Sequence, residues 1–171
     1  RDMAAAAPAG ALYRLDTTGL SAPLVDGLIV PNGLAFSPDN RTMYLSDSHP
    51  TVRKVWAFDL GDSGRPVNRR LFVDMNQHPG RPDGAAVDID GGYWVCANDA
   101  GLVHRFRPDG RLDRSIAVPT AKPSMCSFGG INLDELLITS IRPAGDTSAT
   151  AGAVFITRPG TQGLPETPWR P

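Results

Sequence analysis

Two strand-like templates alternate along this chain, and their recurrence limits the folds it can adopt. The first reads "VPNGLAFSPDNRTMYLSDS" from Val30, "RPDGAAVDIDGGYWVCAND" from Arg81 and "KPSMCSFGGINLDELLITS" from Lys122. Each begins near a Pro, runs through a short apolar strand, turns on Asp, Asn or Gly, and enters a second strand. The second template reads "GALYRLDTTG", "KVWAFDLGDSG", "GLVHRFRPDG" and "AGAVFITRPG", each a strand closing on a Gly-containing turn. Tyr13, Trp56, His104 and Phe155 therefore occupy matching places at intervals of about 40–50 residues, the period of a four-stranded propeller blade. No long amphipathic helical pattern interrupts the series. A β-sandwich also has short strands but does not require paired templates to recur. The repeat predicts an all-β fold, a β-propeller, with about three and a half blades in this chain.

Composition agrees. The 171 residues include 18 Gly and 16 Pro, placed between the β-rich runs, and 41% are apolar. A formal charge of −1 without basic clusters argues against a nucleic-acid partner. No apolar run approaches the ~20 residues of a membrane span. The opening "RDMAAAAPAG" lacks the longer apolar core of a signal peptide, so a cytoplasmic location is expected. Cys96 and Cys126 lie in apolar strand contexts without metal-ligand spacing and read as reduced, buried thiols.

The tetrapeptide Arg-Pro-Asp-Gly occurs twice, and the repeat separates the copies. Arg107–Gly110 closes a second-template strand and reads as a hairpin turn with a solvated Asp109. Arg81–Gly84 matches "VPNG" and "KPSM", ahead of the strand nearest the propeller axis. Asn32, Asp83 and Ser124 are then equivalent positions gathered around that axis. An amide, a carboxylate and a hydroxyl form a hard oxygen set that suits Ca²⁺, Mg²⁺ or Mn²⁺ and also accepts Zn²⁺. Spacing alone leaves turn capping as the simpler reading, because Pro-Asn-Gly and Pro-Asp-Gly both favour turns.

The successive motifs "VPNGLAFSPDNRTMYLSDS", "VWAFDL", "RPDGAAVDIDGGYWVCAND", "GLVHRFRPDGRL" and "CSFGGINLDELLITS" resemble, in order, the senescence-marker-protein/gluconolactonase/luciferin-regenerating (regucalcin-like) family. The closing "GAVFITRPGTQGLPE" resembles its C-terminal end. The resemblance runs from about Gly10 to Glu166 and implies the C-terminal part of a six-bladed propeller. It makes residues 1–171 one domain that lacks the family's N-terminal half. It also implies divalent-metal-dependent hydrolysis of a sugar lactone, with the metal-binding asparagine falling on Asn32. The metal-binding aspartate, often assigned as general base, falls on Asp83. The remaining ligands and a substrate-holding arginine belong to the half that has no counterpart here, so the chain alone is expected to be inactive and that half to be its partner. A related esterase or phosphotriesterase, or a non-catalytic calcium-binding propeller, are the alternatives.

Other polar residues carry weaker expectations. Asp47 is expected to stabilise its blade. Asn98 and Asp99, one blade later, read as a repeated turn. His49 and His78 fall in loops within possible reach of substrate, and His104 is expected to pack inside a strand. Tyr93, Trp94 and Trp56 read as blade packing, and no Gly-x-Ser-x-Gly nucleophile motif is present.

Overall fold

The computed structural model describes residues 7–166 and 168, and its regular structure is almost entirely β. The chain opens with β1 (Gly10–Leu12), β2 (Leu15–Asp16), β3 (Gly19–Leu20) and β4 (Val25–Leu28), in which β1 pairs with β4 and β2 with β3. A four-stranded antiparallel blade follows: β5 (Pro31–Phe36), β6 (Thr42–Asp47), β7 (Lys54–Leu60) and β8 (Pro66–Asp74). A 3₁₀ turn at Met75–Gln77, capped by the Asp74 carboxylate, leads to the next. That second blade comprises β9 (Arg81–Val87), β10 (Tyr93–Asn98), β11 (Leu102–Phe106) and β12 (Leu112–Ala117). The third has β13 (Pro123–Gly129), β14 (Glu135–Ser140) and β15 (Phe155–Thr157). In each blade, consecutive strands are neighbours, as a meander requires. Two full blades, a three-stranded one and the β1–β4 pair agree with the propeller expectation. No helix among the described residues is long and apolar enough to cross a membrane.

Period-two alternation builds the core as slabs between consecutive blades. Every residue of β10 is buried, because its two faces meet different neighbours. Tyr93 and Val95 pack with Tyr44, Val55, Val87 and Phe106 between the first and second blades. Trp94 and Cys96 turn the other way and pack with Cys126, Leu136 and Ile138 of the third. Full burial of side chains such as Phe106 or Ile138 stabilises by about 1.5–3 kcal/mol each. A third cluster, Leu28, Met43, Leu45 and Phe58, seats the opening strands on the first blade. Tyr93 and Trp94 are thus packing residues, as expected, and so is His104, buried in β11. Cys96 and Cys126 are free and buried.

A charged network fastens the second blade. Asp88, fully buried, accepts hydrogen bonds from Arg105 Nε at 2.7 Å, Trp94 Nε1 at 2.7 Å and the Gly92 amide at 2.8 Å. Arg105 also reaches Asp113 at 3.1 Å. Gly92 leaves room for it, since a Cβ there would stand 2.5 Å from the guanidinium and displace it.

Candidate functional site

The two Arg-Pro-Asp-Gly segments take different conformations. Arg107–Gly110 is a turn in which the Gly110 amide bonds Arg107 O at 2.8 Å, and Gly110 has φ +82°. Asp109 is exposed; it accepts from the Arg111 amide and pairs loosely with the Arg111 guanidinium at 3.7 Å. Arg81–Gly84 corrects the sequence reading, because it does not precede the inner strand but forms its first half. Its residues pair with Ala97 and Asn98 of β10, and this ladder holds them extended.

The inner strands β5, β9 and β13 open their blades and lie side by side. Asn32 and Asp83 meet across the first gap, where Asn32 Nδ2 donates to Asp83 Oδ1 at 2.6 Å. Gly33 makes that approach possible. Its φ is +56°, and a Cβ would stand 2.5 Å from the Tyr93 hydroxyl and 2.6 Å from Ser46 Oγ. The Tyr93 hydroxyl donates to Gly33 O at 2.8 Å and pins the kink. Gly84 serves packing rather than turning, since a Cβ would collide with Met125 and Ser124 of the next blade.

Ser124 departs from the sequence expectation. Its hydroxyl is 2.9 Å from Thr139 Oγ1 on its own blade, and no bond joins it to Asn32 or Asp83. The third member is Asn98, which the repeat had marked as a turn residue. It ends β10, is 3% exposed, and donates from Nδ2 to Asp83 Oδ2 at 2.9 Å. Asp99 is the true turn residue, with φ +75°, and it pairs with Arg81 at 2.6 Å and with Lys122.

The other polar residues lie away from this cluster or act on backbone. Asp47 accepts the amides of Ile29 at 2.7 Å, Val30 at 3.0 Å and His49 at 3.0 Å, and so stabilises its blade as expected. His49 is buried and bonded to Thr51 at 2.8 Å, and His78 packs its ring on Phe106. Both lie in loops, as the sequence suggested, but His49 is buried against its own loop and His78 is packed on an aromatic ring.

Electrostatics mark Asp83. Burial pushes its carboxyl above the ordinary range, and the hydrogen bonds from Asn32 and Asn98 pull it back part of the way. Arg81 is spent on Asp99, and no described residue forms an ion pair with Asp83. Nearby, Ser46 Oγ is buried without a hydrogen-bond partner. A part-buried carboxylate without an ion-pair contact, eased only by the more distant Arg81 charge and set beside an amide side chain, is chemically suited to a hard cation. No group of three or more His, Cys, Asp or Glu side chains able to hold a metal occurs among the described residues. The donor set therefore fits a metal as a partial shell to be completed by other groups.

A family model for the SMP-30/gluconolactonase/LRE-like region matches residues 1–142. The chain belongs to this family. Among its relatives, a 6-deoxy-6-sulfogluconolactonase of Pseudomonas putida is 38% identical over 163 residues, covering 92% of this chain and 55% of the relative. A pentonolactonase of Haloferax volcanii is 33% identical over 92% of this chain and 57% of its own length. The crystal structure of a calcium-binding regucalcin from Agrobacterium tumefaciens superposes with a TM-score of 0.87 at 27% identity, over 96% of this chain and 57% of that one. This family member thus spans about half the length of the curated relatives it matches, and several of them are lactonases.

Proposed function

We propose that this family member contributes one side of the active site of a divalent-metal-dependent sugar lactonase, with Asn32 and Asp83 as metal-binding residues and Asp83 also as the proton acceptor. The juxtaposition of Asn32 with the part-buried Asp83 carboxylate, which has no ion-pair contact, carries the proposal. The named activities of the relatives support the reaction class, and the calcium-binding regucalcin supports a divalent ion, of which Ca²⁺, Zn²⁺, Mn²⁺ and Mg²⁺ all accept these oxygen donors. The remaining ligands come from the part of a six-bladed propeller that corresponds to the other half of the relatives, and this chain by itself is inactive.

When bound, the ion polarises the lactone carbonyl and lowers the pKa of water. Asp83 orients the attacking water and takes its proton on a carboxylate oxygen. The water oxygen bonds to the carbonyl carbon, the ring C–O bond breaks, and the proton passes to the departing alkoxide to give the open hydroxy acid. Asn32 does not titrate in this range, so it binds or orients and transfers no proton.

Hydrolysis of glucono-1,5-lactone by the complete protein, after chelation and after each divalent metal is restored, tests the class. Activity lost on chelation and regained with metal is expected, and Asp83→Ala is expected to abolish turnover and weaken metal binding together. Near wild-type turnover in that variant refutes the residue assignment. Ion binding without hydrolysis of any lactone instead favours a calcium-binding propeller without catalysis, the second reading that the regucalcin likeness supports.

A further inference from the structure

Asn98 is held in one orientation by partners on two strands, β9 and β13. Its Nδ2 donates to Asp83 Oδ2 at 2.9 Å and to Pro123 O at 3.2 Å, while its Oδ1 faces Arg81 Nη2 at 3.5 Å. Exchanging the amide nitrogen and oxygen would set Oδ1 against two acceptor oxygens and the NH₂ against a guanidinium. The bonds thus fix which end of the amide meets the carboxylate, and the oxygen is turned away from Asp83. Arg81 is itself anchored by Asp99, which also binds Lys122. The support behind Asn98 therefore runs from the second blade into the third.

We infer that Asn98 is a positioning residue for Asp83: its amide N–H holds Oδ2 and so sets the orientation in which Oδ1, the oxygen that Asn32 Nδ2 contacts, meets a cation. This inference rests on the reading of Asn32 and Asp83 as metal-binding residues and adds to it a residue that is not itself a ligand. With Oδ2 held by Asn98 and Oδ1 by Asn32 Nδ2 at 2.6 Å, the carboxylate has one preferred orientation, and a cation at Oδ1 takes the place of the Asn32 N–H. Without the Asn98 donor, Asp83 keeps only the side-chain hydrogen bond from Asn32, and a cation that displaces it must itself restrict the carboxylate. Loss of an outer hydrogen-bond partner of a metal ligand typically weakens metal affinity by about 10–100-fold.

The test is Ca²⁺ titration calorimetry on the complete protein as wild type, Asn98→Ala, Asn98→Leu and Asp83→Ala, with urea midpoints in chelator to establish that each is folded. Asn98→Leu keeps most of the side-chain volume without the donor and separates hydrogen bonding from cavity formation. Both Asn98 variants are expected to bind Ca²⁺ about 10–100-fold more weakly than wild type. Bound water on Tb³⁺, counted from luminescence lifetimes in H₂O and D₂O, is expected not to increase in Asn98→Ala. One added water would make Asn98 a ligand and overturn the inference, as would wild-type Ca²⁺ affinity in folded Asn98 variants. If Asp83→Ala loses Ca²⁺ while Asn98→Ala binds like wild type, only the positioning role falls. If wild type binds neither Ca²⁺ nor Tb³⁺, the metal-centre reading falls and the role of Asn98 with it.

Discussion

Replacing Asp88 with Ala removes the acceptor at the centre of the second blade. Its carboxylate is fully buried and serves Arg105 Nε at 2.7 Å, Arg105 Nη2 at 3.2 Å, Trp94 Nε1 at 2.7 Å and the amides of Gly92 and Asp90 at 2.8 and 3.0 Å. Truncation strands the Trp94 N–H inside the core, at a cost of about 1–3 kcal/mol. It also leaves Arg105, only 9% exposed at its side chain, with Asp113 as its remaining close partner at 3.1 Å. Breaking a buried ion pair from one side typically costs about 3–5 kcal/mol, and this range is expected here because Asp113 compensates only part of the charge. Such a loss is a large share of the ~5–15 kcal/mol that holds a typical domain together. Urea unfolding followed by circular dichroism measures it. The companion variant Asp88→Ala/Arg105→Met removes both charges and is expected to be more stable than Asp88→Ala alone, since the stranded guanidinium dominates the penalty. A single variant within about 1 kcal/mol of wild type, or a double variant less stable than the single, would refute this reasoning.

Three further outcomes are expected. Asp109→Ala, in the exposed copy of the tetrapeptide, changes stability by no more than about 0.5 kcal/mol and leaves lactone hydrolysis intact, in contrast to Asp83→Ala; comparing turnover and melting of the two checks it. Gly33→Ala forces a Cβ to 2.5 Å from the Tyr93 hydroxyl at a positive φ, so a loss of about 1–3 kcal/mol is expected in thermal unfolding, and a wild-type melting curve would count against the kink. Burial lowers the folded-state pKa of His104 below its ordinary 6.5, against the opposing hydrogen bond to Pro79 O. Its contribution to stability is full above 6.5 and is lost as pH falls through the lowered folded value, so His104→Phe is expected to shrink the drop in urea midpoint between pH 7 and pH 5, and an equal drop in both proteins would exclude His104 as its source.

The blades were legible in the sequence because their turn residues and period-two apolar runs are local signals. Tyr93 and Trp94 were assigned to packing for the same reason. The Asn32–Asp83 pair was legible as two equivalent strand entries, but Ser124 was not separable from them. Its hydroxyl is taken by Thr139, a choice made by the strand partner rather than by its own motif. Asn98 was missed through register. It matches Asp47 in the template, yet Asp47 lies opposite Pro31 whereas Asn98 lies opposite Arg81, one place earlier in the repeat. With side chains alternating between faces, that single step redirects the residue, and bulges in both ladders conceal it from a linear alignment.

At the first gap the inner-strand entries place Asn32 beside the corresponding Asp83 of the next blade, while backbone groups carry the sheet. Asn32 and Asp83 thus act as a cross-blade clasp whose chemical identity is separate from the ladder beneath it. A mutation at such a position can alter what the axis recognises without rewriting a strand. On the proposed reading, a cation held by Asn32 and Asp83 would act on the seam between two blades, so that ligand occupancy and the mechanical coupling of neighbouring sheets would depend on the same pair of side chains.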